Sequence, residues 1–391
     1  MVEGRASLVI DLGNSETRVE TIFGKTKSGR PRKRLSIIPN KFGELADDRL
    51  LKNPDYNDSN SKVFLVGADT IICSGDICDR EKGTAAQRPS ASIKKYDSAI
   101  TLYTLRLALL QGYYDIADMS KQSLESIDVD WSISVLLPPS DIDLGASKIK
   151  EHIKSITSVK YLMPKLYKEI RILDVKVLPE GFCAFIGEVF ESGSQIRKGY
   201  KDILNSSTLV VDIGAGTTDL CIIKDRKLID GSRYSEETGG NQVFQKINIE
   251  LRKKIGKNLP EDSLREAAVS GRIKVGARVF DITEEIVVAR KDVATKLSVS
   301  IRNYIESSDF SIFDIENVLI CGGGADACGS DMKPLGDYLR DNLKEWMSYS
   351  NFLDIPEQEI VYEKDGEEYT KVEKISPRLL NIIGAGVISE N

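Results

Sequence analysis

The apolar and polar positions of the chain follow the same order in two segments. Residues 7–19 read SLVIDLGNSETRV, and residues 210–223 read VVDIGAGTTDLCII. In each, an apolar strand ends at an aspartate, Asp11 or Asp212, after which a glycine and small polar residues turn the chain into a second apolar stretch. An ordinary hairpin with a glycine-rich turn is the alternative for either segment alone, because such turns are common. Their repetition about half a chain apart predicts two similar domains that clamp one ligand.

The two turns have the chemistry of a polyphosphate site. Glycine lets backbone N–H groups approach and surround an anion, because it has no Cβ and tolerates positive φ. A carboxylate beside such a turn would repel phosphate, but it can hold a magnesium ion, usually through water, and the ion bridges to the phosphates. We therefore expect Asp11 and Asp212 to face each other across a cleft that binds a metal-bound polyphosphate.

A third acidic residue lies at a predicted junction between a strand and a helix. The apolar run 172–178 predicts a strand, and the pattern over residues 182–189, just after Pro179 and Glu180, predicts a helix. One interpretation of Glu180 is a helix-start acid, which the helix dipole stabilises. The other is a carboxylate that points into the cleft and orients the water that attacks a γ-phosphate.

Two more glycine runs stand at the ends of predicted elements. Gly239 and Gly240 precede a helical pattern over residues 243–251, where they would offer N–H groups at the positive end of the helix. The strand predicted over residues 317–321 runs into four small residues, Gly322, Gly323, Gly324 and Ala325. Successive glycines allow a flat group, such as a purine with its ribose, to lie against the backbone, and a flexible turn is the alternative.

The remaining periodicity predicts further strands and helices. Apolar residues recur at helical spacing within residues 95–113, and residues 284–305 are a long helical candidate. Residues 380–388 predict a helix of small residues that can pack closely against another helix. Residues 131–137 alternate and end at two prolines, which is typical of a core strand.

Composition narrows the class of protein. The chain has 391 residues, which is longer than a single hydrophobic core usually supports, so we expect two lobes. A net charge of -6 argues against direct coating of nucleic acid. The first residues lack a cationic flank ahead of a long apolar core, and no apolar run reaches membrane-spanning length, so we expect neither a signal peptide nor a membrane span. The six cysteines contain no CxxC pair, which favours reduced thiols in a cytoplasmic protein. A single histidine, His152, excludes histidine triads and histidine-based zinc sites.

Five blocks, in order, resemble the nucleotide-binding signature of the actin, sugar-kinase and heat-shock ATPase superfamily. DLGNSETRV resembles its first phosphate loop, VLPEGFCAFIGEV its first connecting helix, VVDIGAGTTDLCII its second phosphate loop, NVLICGGGA its adenosine loop and LLNIIGAGVI its second connecting helix. DLGNS, YDSAITLYTLRLALL and LPPSD are most similar to the bacterial actin-like proteins of plasmid segregation, the ParM family.

The resemblance implies a two-lobed α/β fold, in which each lobe has a ribonuclease-H-like mixed sheet flanked by helices and the nucleotide lies between the lobes. Lobe I would comprise residues 1–206, with a core of 1–35 and 91–206 and a small subdomain of about 36–90, completed by residues 376–391. Lobe II would comprise residues 207–375, with a core of 207–240 and 283–375 and a small subdomain of about 241–282.

The resemblance also implies roles for individual residues. Asp11 and Asp212 would hold Mg²⁺ through water, and Glu180 would position the attacking water. The phosphates would be cradled by the backbone around two turns and by two hydroxyls, that is by Gly13, Asn14, Ser15, Gly214, Ala215, Gly216 and Thr217. The adenosine would face a third run, Gly322, Gly323, Gly324 and Ala325.

Three positions are less typical of the family. Arg18 stands where the family usually has a lysine that reaches the β- and γ-phosphates, and arginine keeps the charge while changing the geometry. The GGN sequence at Gly239 and Gly240 departs from ParM and resembles the heat-shock chaperones and MreB. Lys274 is a candidate for contact with the base or ribose from the smaller subdomain.

The resemblance implies a cytoplasmic enzyme that hydrolyses ATP or GTP and assembles with itself into polar filaments. In the segregation branch, such filaments move plasmid DNA through a DNA-binding adaptor, so direct nucleic-acid binding and membrane binding are not expected. Three alternatives share the cleft: an MreB- or FtsA-like cytoskeletal protein, a small-molecule (sugar) kinase, and a chaperone-type ATPase. A substrate domain after the last connecting helix would mark the chaperone, and an amphipathic helix at the end would mark the FtsA type.

Overall fold

A computed structural model describes residues 2–13, 16–45, 62–66, 70–75, 77–80, 94–163, 165–256, 258–259, 261–326, 332–364 and 367–390. The strands in this part of the chain are β1 (Val2–Leu12), β2 (Glu16–Lys25), β3 (Pro31–Pro39), β4 (Phe42–Leu45), β5 (Lys62–Val66), β6 (Thr70–Ser74), β7 (Ile127–Leu137), β8 (Ser158–Met163), β9 (Leu166–Glu169), β10 (Arg171–Pro179), β11 (Phe190–Glu191), β12 (Gln195–Ile196), β13 (Ser207–Ile213), β14 (Thr218–Lys224), β15 (Lys227–Leu228), β16 (Tyr234–Glu236), β17 (Arg272–Val275), β18 (Arg278–Asp281), β19 (Asn317–Cys321), β20 (Asn351–Phe352), β21 (Glu357–Lys364) and β22 (Glu367–Lys374). The helices are α1 (Ile77–Arg80), α2 (Ala99–Ser120), α3 (Ile142–Lys154), α4 (Glu180–Val189), α5 (Asn241–Ile255), α6 (Glu261–Ser270), α7 (Thr283–Ser307), α8 (Gly323–Asp326), α9 (Leu335–Lys344) and α10 (Leu380–Ser389).

Lobe I is built on a mixed sheet with the strand order β10-β7-β1-β2-β3. β1 forms an antiparallel hairpin with β2 and pairs in parallel with β7, which pairs in parallel with β10. The hairpin register sets Asp11 opposite Arg18 near its turn. The last five residues of β7 are all buried, because helices cover both faces of the sheet there.

Lobe II repeats this arrangement in the sheet β15-β14-β13-β19-β20, with β16 joined to β14. β13 and β14 form an antiparallel hairpin, and β19 pairs in parallel with β13. Asp212 lies opposite Asp219 within the hairpin and opposite Cys321 of β19. The two segments with the same apolar pattern are therefore equivalent hairpins, each beside a parallel strand. The predicted two-lobed α/β fold is confirmed.

Two helices connect the lobes, and they pack with their backbones in close approach. Gly187 of α4 faces Gly384 of α10. A Cβ on Gly384 would overlap the carbonyl oxygen of Cys183, and a Cβ on Gly187 would overlap that of Leu380. Close packing through small residues, which was predicted for residues 380–388, is found at this crossing.

The small subdomain of lobe I does not coincide with the range of about 36–90 that was expected from the sequence. The small sheet of lobe I has the order β4-β6-β5-β8-β9, so it contains residues 158–169 in addition to segments within 36–90. β3 pairs with β2, so residues 36–39 stay in the core sheet. In lobe II, α5, α6 and the β17–β18 hairpin form a compact unit, which begins at Asn241 directly after the glycine pair.

The long predicted helices are present, with shifted ends. The helix expected within 95–113 begins at Ala99, because Ser98 accepts a hydrogen bond from the N–H of Ile100 and caps the helix, and it continues to Ser120. Within the described ranges, no helix is long and apolar enough to cross a membrane. Five cysteines are described, and all five are free thiols.

Candidate functional site

A cavity of about 240 Å³ lies between the lobes where β1, β13 and β19 end. Its wall contains residues from both hairpins, from the start of α4 and from the turn after β19. The predicted site residues that line it are Asp11, Gly13, Arg18, Glu180, Asp212, Gly214, Ala215, Thr217, Gly240, Gly322, Gly323 and Gly324. The topology thus brings segments more than 300 residues apart to one place, because equivalent strand ends meet at the cleft.

Some of the predicted site residues do not line the cavity. Lys274 is exposed on β17, where its neighbour Ile273 faces the core, so the alternation of the strand directs the lysine to solvent and not to the cavity. Ala325 is buried in α8 against Gly336. Gly216 and Gly239 are also outside the cavity wall. Asn14 and Ser15 lie outside the described residues.

Four buried carboxylates line the cavity: Asp11, Glu180, Asp212 and Asp219. Burial, together with the charges of Asp11 and Asp212, raises the pKa of Glu180 to about 8, although Lys95 acts to lower it. Burial likewise raises the pKa of Asp212 to about 6. Such a cluster is costly without cations, so it has the electrostatics of a site for a positive ion.

A lysine that sequence reasoning missed lies within this acidic cluster. Nζ of Lys95 donates to Oε1 of Glu180 at 2.8 Å. Burial alone would lower the pKa of Lys95, but the negative charges of Glu180 and Asp11 outweigh burial and raise it. Lys95 is 85 residues from Glu180 in sequence, and no local motif marks it.

Arg18 is held at the mouth of the first turn. Its guanidinium donates to Oδ2 of Asp11 at 3.0 Å and to Oε1 of Glu16 at 2.8 Å. Arg378, from the turn before α10, also donates to Oε1 of Glu16, at 3.2 Å. Two guanidinium groups therefore border the cavity next to Asp11, where they can meet the negative charge of a phosphate.

The GGN segment supports the second turn. The N–H of Gly240 donates to the carbonyl of Gly214 at 3.0 Å, and the N–H of Asn241 donates to that of Ala215 at 2.8 Å. The Gly240 amide, expected to offer its N–H to an anion, is instead hydrogen-bonded to the turn of the hairpin. A Cβ on Gly239 would come within 2.8 Å of the carbonyl oxygens of Gly214 and Ala215, so glycine permits the contact.

The glycine run after β19 packs on the same turn. Gly322 has φ +94, and a Cβ there would overlap Oδ1 of Asp212 and the carbonyl oxygen of Ile213. Gly322 therefore combines a left-handed backbone with close approach, which only glycine tolerates. Gly323 and Gly324 open the short helix α8 and line the cavity.

An aromatic ring and a guanidinium group also line the cavity. Phe244 of α5 and Arg265 of α6 line it, with the Arg265 Cζ 5.0 Å from the centre of the Phe244 ring. Arg265 also donates to Oδ1 of Asn241 at 3.0 Å. A flat ring surface and a planar cation suit a heteroaromatic base. Sequence reasoning missed both residues, since each lies in an ordinary amphipathic helix.

The acids fit a hydrated magnesium ion better than one bound directly. Among the described residues, no group of three or more His, Cys, Asp or Glu side chains is arranged to hold a metal ion. Asp11 and Asp212 approach from different lobes, and Oδ1 of Asp219 is buried without a hydrogen-bond partner. Magnesium keeps several of its waters in nucleotide sites, so two acids that contact those waters are sufficient.

Comparison with known proteins agrees with this geometry. Residues 210–334 match the family model of the C-terminal domain of archaeal MreB-like actin homologues. An archaeal actin homologue solved in complex with ADP is 16% identical, with a TM-score of 0.65 over 98% of each chain. The chain has the actin-like fold.

Two further actin-like structures are similar over nearly the whole length. A ParM filament of 15 strands from Clostridium botulinum is 14% identical, with a TM-score of 0.64 over 99% of each chain. ParM of Bacillus thuringiensis with AMPPNP is 13% identical, with a TM-score of 0.62 over 99% of this chain and 98% of that one. A sequence search of curated proteins finds no significant match. The resemblance to the actin superfamily is confirmed at the level of the fold.

Proposed function

We propose that this actin-like protein binds ATP or GTP with Mg²⁺ between its lobes, hydrolyses it, and assembles into filaments. The observation that carries the proposal is the pair of equivalent hairpins, which bring Asp11 and Asp212 to one cavity together with Glu180. Related folds have been solved with ADP and with AMPPNP, which supports a nucleotide as the ligand.

Each part of the cavity has a role in hydrolysis. Asp11 and Asp212 would hold the hydrated Mg²⁺, which neutralises phosphate charge when bound. The backbone at Gly13 and Gly214 and the hydroxyl of Thr217 would contact the phosphates. Glu180 would accept a hydrogen bond from the attacking water and take its proton as the bond from the γ-phosphorus to the bridging oxygen breaks.

Self-assembly is supported by relatives and by two surfaces of lobe II. One, which we call the acidic pole, consists of residues 306–316 (ESSDFSIFDIE) and Tyr349, and its acidic side chains are exposed. Phe313 and Tyr349 are 73% and 81% exposed, and the centres of their rings are 5.9 Å apart. The other, the basic hairpin, consists of residues 272–278 (RIKVGAR), whose three cations are exposed. The two lie at opposite ends of α7, which is about 37 Å long. Such unlike, complementary ends favour head-to-tail contacts that continue without closing.

The similar structures and the matching family model support two candidates for the cellular role. Filaments of the ParM type are among the similar structures, which supports plasmid segregation through a DNA-binding adaptor in the cytoplasm. An MreB-like cytoskeletal role is the second candidate, because the GGN segment and the matching family model both point to MreB-like proteins.

Phosphate release and light scattering test the proposal together. With Mg²⁺ and ATP or GTP, the protein should release phosphate and scatter light, and filaments should be visible by negative-stain electron microscopy. Glu180→Gln should slow phosphate release by roughly 100-fold or more while nucleotide binding and assembly persist. If nucleotide turnover requires an added sugar, the protein is a sugar kinase and this proposal is wrong. If the protein binds no nucleotide, both the proposal and the kinase alternative are wrong.

A further inference from the structure

Lys95 occupies a place in the cavity that the proposed roles leave unexplained. It opens the short turn of residues 95–97 that leads into α2, and its ammonium reaches across to the start of α4. The side chain of Lys95 is 19% exposed and that of Glu180 is 10% exposed. Both charges are therefore mostly removed from water, and a lone charge there would be costly.

Lys95 offsets the negative charge of several carboxylates around it. Besides Glu180, the carboxylates of Asp11 and Asp219 act on Lys95, and those of Asp11, Asp212 and Asp219 act on Glu180. All of these acids face the pair from the strand ends of the two lobes. Lys95 acts to lower the pKa of Glu180, against burial and the charges of these acids, which raise it.

The other cations of the cavity wall contact different groups. Arg18 donates to Asp11 and Glu16, and Arg378 donates to Glu16. Arg290 donates to the carbonyls of Lys333 and Ala268. Within the described part of the chain, Lys95 is the cation that forms a salt bridge with Glu180.

We propose that Lys95 is a positioning residue for nucleotide hydrolysis: by holding Oε1 of Glu180, it fixes the carboxylate so that Oε2 faces the attacking water. This inference rests on the proposed function. Water adds to the γ-phosphorus, the bond to the β–γ bridging oxygen breaks, and the water proton passes to Glu180 and then to solvent. Lys95 changes no bond; it fixes the group that receives the proton.

Lys94 provides a matched control. It is the preceding residue and also forms a salt bridge, with Nζ 2.7 Å from Oδ1 of Asp141, but it is 56% exposed and outside the cavity wall. Lys94→Met therefore removes the same charge and the same number of atoms from the same turn. It should leave both hydrolysis and nucleotide affinity unchanged.

The test compares Lys95→Met, Lys95→Arg, Glu180→Gln and the double variant Lys95→Met/Glu180→Gln in the full chain. Phosphate release with Mg²⁺-ATP or Mg²⁺-GTP gives kcat, and a fluorescent nucleotide gives affinity. We expect Lys95→Met to lower kcat roughly 10- to 100-fold with affinity changed less than about threefold, since positioning acts on the chemical step. Lys95→Arg should recover part of the loss. The double variant should be no slower than Glu180→Gln, because Lys95 acts through Glu180.

Each other outcome overturns the inference. If the wild type hydrolyses nucleotide and Lys95→Met has the same kcat, Lys95 has no positioning role, although the proposed function stands. The same conclusion holds if the losses of the two single variants add in the double variant. A loss of affinity equal to the loss of kcat would make Lys95 a binding residue instead. If urea denaturation shows that Lys95→Met does not fold, Lys95→Arg is the deciding variant. A hydrolysis rate of Lys95→Arg as low as that of Glu180→Gln would contradict a role for the cation. Absence of hydrolysis in the wild type overturns the proposed function and this inference with it.

Discussion

The side-chain amide of Asn381 donates to Oδ2 of Asp212 at 2.5 Å, although the two residues are 169 positions apart. Asn381 belongs to α10, which packs on α4 and on the sheet of lobe I, whereas Asp212 ends the first strand of the lobe II hairpin. The bond ties one of the proposed magnesium-holding acids to the opposite lobe. It also opposes the effect of burial on the pKa of Asp212.

Removal of this donor should weaken nucleotide binding. In Asn381→Leu, Asp212 loses a hydrogen bond to its charged form, so its pKa rises and it holds the hydrated metal less well. We expect Mg²⁺-dependent nucleotide affinity to fall roughly tenfold or more in a fluorescence titration. Asn342→Leu, in the α9 helix away from the cavity, should bind as the wild type does. Equal affinity of the two variants would show that Asn381 has no role in the site.

Reversal of charge on the basic hairpin should stop assembly. In Arg272→Glu/Arg278→Glu the hairpin repels the acidic pole of the next copy, so light scattering in Mg²⁺-nucleotide should fall to the level of protein without nucleotide. Nucleotide affinity should remain, because both arginines are outside the cavity wall. Lys198→Glu/Lys201→Glu, two exposed changes in lobe I, alters the net charge by the same amount and serves as the control. Normal filaments from the double variant would rule out this contact.

Burial of Glu188 should make stability fall as the pH rises. Burial raises its pKa from 4.5 to about 7, against the hydrogen bond from Tyr200. When the pKa of an acid is higher in the folded protein than in the unfolded chain, the acid stabilises the fold at a pH below its pKa in the unfolded chain. That contribution is lost as the pH rises through its pKa in the folded protein. Between pH 5 and pH 8 the wild type should lose about 2–3 kcal/mol of unfolding free energy relative to Glu188→Gln. Urea denaturation at the two pH values measures the difference; a difference that does not change with pH would contradict the shift.

A methyl group at the helix crossing should destabilise the protein. In Gly384→Ala the added Cβ meets the carbonyl of Cys183, a backbone group that cannot rotate away, so α4 and α10 must separate. We expect a loss of about 1–3 kcal/mol or more in urea denaturation. Gly336→Ala is the control: its nearest neighbour, Cβ of Ala325, is 3.1 Å away, so a smaller shift relieves the contact. If Gly384→Ala is as stable as Gly336→Ala, the helices are not tightly apposed.

Local chemistry explains what could be predicted. Each hairpin turn is encoded within a dozen residues, because an apolar strand, an aspartate and a glycine turn need only neighbours in sequence. The glycines after β19 and the strand-to-helix junction at Glu180 are local in the same sense. Their repetition and order were enough to indicate two lobes and one cleft.

The contacts that give the site its electrostatics could not be predicted in this way. Lys95 meets Glu180 across 85 residues, and Asn381 meets Asp212 across 169. Phe244 and Arg265 come from helices whose patterns mark only an apolar face. Lys274 lies on a strand whose alternation is visible in sequence, yet only the position of the hairpin shows that its outward face is turned away from the cleft.

By itself, the sequence determined the two glycine turns, the acids that end their first strands, and the actin-like fold built around them. Only the tertiary structure decided which cation accompanies Glu180, which amide supports Asp212, and that the GGN amides bind the second turn. The reason is physical: a turn depends on the φ, ψ and hydrogen bonds of adjacent residues, whereas the partner of a buried charge is chosen by how distant strands and helices pack around it.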